Sequence, residues 1–270
     1  MHTTPSSSSP SALPVLFVPH GSPMFALHPG AAGAALRDMS ARLPRARAVL
    51  VISPHWETTQ PTVTGGAHLD TIHDFGGFDL RLFDIQYPSQ GSPALAEQVV
   101  AALQDAGLAA EVDLQRGLDH GAWVPLRHMF PTPSLPTVAL SVQHHGGPAH
   151  AHRVGRALAP LREQGVLIVA SGNITHSLRD WQHILRTGAP TPDYVQRFAD
   201  WVHAHLTAKD TAALLDYRQL SADGRLAHPR DEHLLPLFTA WGAAGEQAEA
   251  HAFFRGISDH VIAMDGYVFH

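Results

Sequence analysis

The sequence predicts an α/β sandwich built on a largely parallel sheet. Three observations carry this. Short, continuous apolar runs rich in β-formers occur at Pro14 to Pro19 (PVLFVP), Ala48 to Ser53 (AVLVIS) and Val166 to Ala170 (VLIVA), as expected for strands covered on both faces. Segments of helical period lie between them, and strands alternating with helices give parallel sheets. The length, 270 residues, with 44% apolar and 16% charged side chains, suits one large domain with a sizeable core.

The elements follow in order. Ala31 to Leu43 has helical spacing after the first strand, and Thr62 to Thr64 starts a further strand after the second. Asp70 to Ser92 is rich in Gly, Asp, Phe and Pro without regular period; a loop this long in a compact domain is usually functional. Pro93 to Ala106 reads as a helix stopped near Gly107, Thr137 to Val142 as a strand, and Pro148 to Glu163 as a helix. Helices are expected at Asp193 to Leu206 and Asp231 to Trp241, and a closing pair of strands within Ala250 to Phe269. Met1 to Leu13 is Ser/Pro-rich, lacks a basic start and a long apolar stretch, and reads as a disordered tail rather than a signal peptide. Residues 14–270 then form a single catalytic domain, and a cytoplasmic location is the default expectation.

Composition excludes several classes of function. The net charge of −6, from 18 basic and 24 acidic residues, argues against nucleic-acid binding, which needs a basic face. No apolar run reaches the 18 or so residues of a membrane span. With no cysteine, disulfides, thiolate metal sites and a cysteine nucleophile are all absent. Histidine is abundant, at 21 residues. Because the chain is also rich in Ala and Pro, the count alone says little, and position decides.

Four positions stand out. His20 ends the first strand in Val18-Pro19-His20-Gly21, and His55 ends the second in Ser53-Pro54-His55-Trp56-Glu57. His176 lies in the loop after the third, in Ser171-Gly172-Asn173-Ile174-Thr175-His176, and His233 opens a helix in Arg230-Asp231-Glu232-His233. Ligands bind beyond the carboxyl ends of parallel strands, and neutral imidazole ligates Fe(II) and Zn(II). A lone loop histidine is ordinary; several arriving at strand ends beside Pro and Gly read as a metal site. His120, in Asp119-His120-Gly121-Ala122-Trp123, is a further candidate, with Asp119 as a helix cap. His128, His203 and His205 sit in helical patterns, His144, His145, His150 and His152 in a solvated loop and helix start, and His73 in the long loop.

Five motifs in this order resemble the class III extradiol ring-cleavage dioxygenases, in the 4,5-DOPA dioxygenase branch. They are His20-Gly21-Ser22-Pro23, Ser53-Pro54-His55-Trp56-Glu57, Asp119-His120-Gly121 with Trp123-Val124-Pro125-Leu126, Ser171-Gly172-Asn173 with His176, and Glu232-His233 with Pro236-Leu237. Asp74-Phe75-Gly76-Gly77-Phe78 followed by Tyr87-Pro88 looks like that branch's loop. The resemblance runs from about residue 14 onward. It implies a three-layer α/β/α sandwich with a mixed, largely parallel central sheet and a mononuclear metal. His20, His55 and His233 are the implied ligands, with His176 beside them as a possible fourth and Glu232 as an alternative to His233. Fe(II) is the implied metal for activity, with Zn(II) possible in the purified protein. His176 matches the family's acid/base, and His120 its oxygen- or substrate-contacting histidine. The implied reaction opens a DOPA-like catechol with O2 to give a semialdehyde.

Two other readings stay open on the sequence. Three histidines with an open position would also let zinc activate water for hydrolysis. The same scaffold is seen in proteins resembling the Memo family, which bind partners or metal without ring cleavage. Trp56, Phe75 and Phe78 favour a pocket for a flat ring but also fit a core.

Overall fold

A computed structural model describes residues 12–270. All but the last two residues of the expected tail lie outside the described residues. Leu13 belongs to the fold: it is buried, its N–H donates to the Arg162 carbonyl at 3.3 Å, and its own carbonyl accepts from Arg162 Nε at 2.7 Å.

Eight strands form the central sheet: β1 (Val15–Pro19), β2 (Ala48–Glu57), β3 (Thr62–Thr64), β4 (Glu111–Asp113), β5 (Thr137–Val142), β6 (Val166–Gly172), β7 (Ala250–Phe254) and β8 (Gly266–Phe269). Their spatial order is β4-β3-β5-β2-β6-β1-β8-β7. The middle is parallel, β5 with β2, β2 with β6 and β6 with β1; β8 and β7 close one side antiparallel, and β3 meets β5 antiparallel on the other. The three apolar runs of the sequence are β1, β2 and β6, which with β5 make the centre of the sheet, and the alternation of these strands divides the core in two. Phe17, Leu50, Ile52, Leu140 and Ile168 face one side, and Leu16, Val18, Val51, Leu167 and Val169 the other.

The first side is covered by α2 (Pro93–Asp105), α4 (Gly147–Leu158), α6 (Asp193–Thr207) and α7 (Leu235–Ala244), the second by α1 (Gly30–Ser40) and α3 (His120–Met129). The result is the expected three-layer sandwich with a mixed, mostly parallel sheet. A further helix, α5 (Leu178–Thr187), and three short helices between residues 211 and 227 were not legible in the sequence. The helix expected over Pro148 to Glu163 is shorter: α4 stops at Leu158 and a 3-10 turn follows over Ala159–Arg162, where Pro160 cannot donate a helical hydrogen bond. The helix expected from Asp231 begins only at Leu235. Residues 70–92 are mostly irregular, holding a short 3-10 helix at Leu80–Asp84.

Candidate active site

The site is assembled at the carboxyl edge of the parallel strands. His20 follows β1 directly and is fully buried. His55 comes from the end of β2, where the register with β5 shifts between Ile52 and Glu57. Such an irregularity bends a strand and re-aims its side chains. His233 comes from the turn before α7, not from the helix itself, because the Leu234 and Leu235 N–H groups close onto the Asp231 carbonyl and Pro236 takes the helix's first turn. This turn is docked on the end of β6: the Asn173 N–H donates to the His233 carbonyl at 3.0 Å. A Cβ at Gly172 would lie 2.5 Å from that carbonyl, so the approach requires glycine.

The three rings aim their Nε2 atoms at one point. His55 Nε2 lies 3.2 Å from His20 Nε2 and 3.3 Å from His233 Nε2. Nitrogens bound to a common ion at about 2.1 Å sit about 3.0–3.4 Å apart, so the spacing fits a metal. Proton positions agree. His20 Nδ1 donates to Ser171 Oγ at 3.1 Å, since the Ser171 hydroxyl spends its own hydrogen on the Gly121 carbonyl. His233 Nδ1 donates to Glu232 Oε1 at 2.9 Å. Both rings therefore present an Nε2 lone pair. Asn173 supports this at His20: its Oδ1 accepts from the Gly21 N–H at 3.1 Å, turning Nδ2 toward His20 Nε2 at 3.3 Å. Burial first, and then the neighbouring histidines, hold His20, His55 and His233 well below the ordinary histidine value, so all three are neutral.

His120 opens α3 beside His55, with ring centres 3.9 Å apart. Asp119 caps that helix as expected, accepting from the Ala122 N–H. Asp74, from the long loop, takes both the His120 N–H and the His120 Nδ1 hydrogen, each at 2.8 Å. Burial alone would raise the Asp74 carboxyl, but the His120 bonds hold it down at about 2. His176 stacks on His233 with ring centres 3.5 Å apart and an angle of 10°. It groups with Glu232 and His233, while the convergent set is His20, His55 and His233. Burial lowers His176 to about 4, against the pull of Glu232.

In front of these rings opens a cavity of about 440 Å³, within the size range of small-molecule sites. Phe75, Phe78, Leu178, Trp181, Val261 and Ile262 give it apolar walls. Phe75 and Phe78 thus serve the pocket, whereas Trp56 is core, buried beneath the Arg116 guanidinium. His128 is buried, with Nε2 donating to the Phe25 carbonyl; His152, expected to be solvated, is buried as well. His73 faces Phe75, Phe83 and Trp123 and donates to the Ile85 carbonyl. Asp74, Ser171 and Glu232 are partners of the rings that the motifs contain but do not mark as such.

Neutral nitrogens converging on one point, with further imidazoles beside an apolar-walled cavity, are the makings of a metal-dependent enzyme for a small molecule. Comparison with known proteins narrows that class. The family described as the catalytic LigB subunit of aromatic ring-opening dioxygenase matches residues 15–266. The chain belongs to this family, and its reaction is the oxidative opening of an aromatic ring with O2. It is 37% identical over 257 residues to the 4,5-DOPA dioxygenase extradiol of Beta vulgaris, covering 94% of this chain and 95% of that one. It is 38% identical over 262 residues to the protein of the same name from Escherichia coli (strain K12), covering 95% and 94%. The crystal structure of the uncharacterized protein JW3007 from Escherichia coli K12 superposes with a TM-score of 0.77 at 31% identity, covering 96% of this chain and all of that one.

Proposed function

We propose that residues 14–270 form one catalytic domain that opens a DOPA-like catechol by extradiol cleavage, giving a semialdehyde. His20, His55 and His233 hold Fe(II) in this reading. The observation that carries it is the convergence of three neutral Nε2 atoms on one point beside an apolar-walled cavity. When bound, ferrous iron supplies a Lewis-acid anchor for the catechol oxygens and the electron transfer that O2 chemistry needs. The relatives' names support the catechol as substrate.

The chain's own residues do the rest. Phe75, Phe78 and Trp181 enclose a ring and exclude water. His176 is neutral at neutral pH and free of the convergent set, so it takes the catechol proton and later returns it. His120, with its Nδ1 hydrogen committed to Asp74, keeps Nε2 for the cavity, where it contacts substrate or oxygen. Glu232 serves as the orienting partner of His233 rather than as a ligand in its place, because its Oε1 already accepts the His233 Nδ1 hydrogen.

An all-nitrogen set also suits Zn(II), which outcompetes Fe(II) at such ligands. Protein purified in air then carries zinc in this site, with His176 near enough to His233 to join it. The test is to load the protein anaerobically with Fe(II), add catechols and air, and follow the visible spectrum. A yellow ring-opened product is expected. Hydrolysis of an ester or amide by the zinc form, with every catechol ignored by the iron form, would replace this reading with the hydrolase.

A further inference from the structure

The rim of the cavity carries charges that the ring chemistry does not use. Glu57, at the end of β2, lines the cavity two residues beyond His55. Its two carboxylate oxygens lie 2.8 and 2.7 Å from a single nitrogen of Arg230, so part of its lone-pair capacity stays open. Arg230 is divided between two acids, because its Nε also reaches Glu232 at 3.3 Å. Two carboxylates sharing one guanidinium leave the rim with a net negative charge. Among the described residues that line the cavity there is no Lys or Arg, and the remaining wall is largely aromatic and aliphatic. Aromatic faces and an adjacent carboxylate favour a cation, while a substrate carboxylate placed there meets like charge, and the nearby Arg230 guanidinium is already shared by Glu57 and Glu232.

We infer that this rim recognises a protonated amine on the tail of the catechol, with Glu57 as the specificity-determining contact and Arg230 as the counter-charge that partly offsets it. The inference rests on the ring-cleavage reading for the catechol end and on the rim charges for the tail. The amine is what the site reads; a carboxylate on the same tail is not required.

The test has a turnover arm and a binding arm. In the first, kcat/KM is measured for 4-(2-aminoethyl)catechol, 4-methylcatechol and 3-(3,4-dihydroxyphenyl)propanoate, which share a ring and differ in tail charge. The second measures binding of phenethylamine and 3-phenylpropanoate, which cannot be cleaved, by calorimetry. In the wild-type protein the amine should exceed the propanoate about 10-fold in both arms, the scale of one favourable charge contact. Glu57→Gln should cut the amine-to-methyl ratio about 10-fold, mainly through KM, whereas Arg230→Gln, which leaves Glu57 unneutralised, should raise it. A merely structural disturbance would not move the two variants in opposite directions. Equal binding of amine and propanoate, or the same ratio in both variants, would overturn the inference. If no catechol is opened at all, the ring-cleavage reading fails, while the binding arm still decides what the rim prefers.

Discussion

At His20 the location of one hydrogen decides what the ring can hold. Ser171 accepts the Nδ1 hydrogen and thereby exposes the Nε2 lone pair. Ser171→Ala should keep the fold and lower metal affinity by about 10–100-fold, the usual cost of losing such an orienting partner; a titration with a competing chelator measures it. His20→Ala, His55→Ala and His233→Ala should each abolish metal binding, checked by metal analysis of the purified variants. Full occupancy in any one would strike that residue from the set. If His233→Ala keeps metal and Glu232→Ala loses it, the carboxylate is the ligand. His176→Gln should retain most of the metal and lose about 10²- to 10⁴-fold in turnover, the scale of a positioned acid/base. Metal lost as completely as in His20→Ala would make His176 a ligand instead.

The central strands were legible because both of their faces are covered, which leaves an unbroken apolar run in the sequence. His20 and His55 were legible for the same reason, being the first polar rings after such runs. The setting of His233 is less legible: acidic residues ahead of an apolar run from Leu234 suit a helix start at Asp231, while hydrogen bonding starts the helix only at Leu235. The Asp74 to His120 pair spans 46 positions, and no local pattern announces a contact of that range. Likewise, the irregular end of β2 lies beyond the apolar run that marks the strand. Here α3 must come close, and Gly121 allows it. A Cβ at that position would overlap Ser53 Oγ and come within 2.7 Å of His55 Cδ2. Gly121→Ala should therefore destabilise the fold by about 1–3 kcal/mol, as overpacking does, and weaken metal binding by shifting His55. Denaturant unfolding with a parallel metal titration checks both; unchanged stability and affinity would show that α3 yields freely.

Across the whole molecule, the two-sided core keeps several histidines neutral, and stability must respond to acid. His128 is the clearest case away from the site. Burial lowers it to about 4, and its ring packs on Phe25. In the unfolded chain it titrates near about 6.5. Its contribution to stability is thus complete above the unfolded value and is lost as pH falls from about 6.5 toward 4, at up to about 1.4 kcal/mol per pH unit. His128→Gln, neutral throughout, should flatten this part of the stability profile; an unaltered acid slope would mean the ring is charged in the fold. No helix among the described residues is long and apolar enough to cross a membrane.

The sandwich as a whole brings two strand ends and one inter-element turn to a single point. The most direct measurement titrates Fe(II) anaerobically into metal-free protein, then records O2 consumption and semialdehyde formation together after catechol and air are added. Both should rise with iron until a single ion per chain is bound, with one O2 consumed for each ring opened. Full iron loading without O2 consumption for any catechol would contradict this.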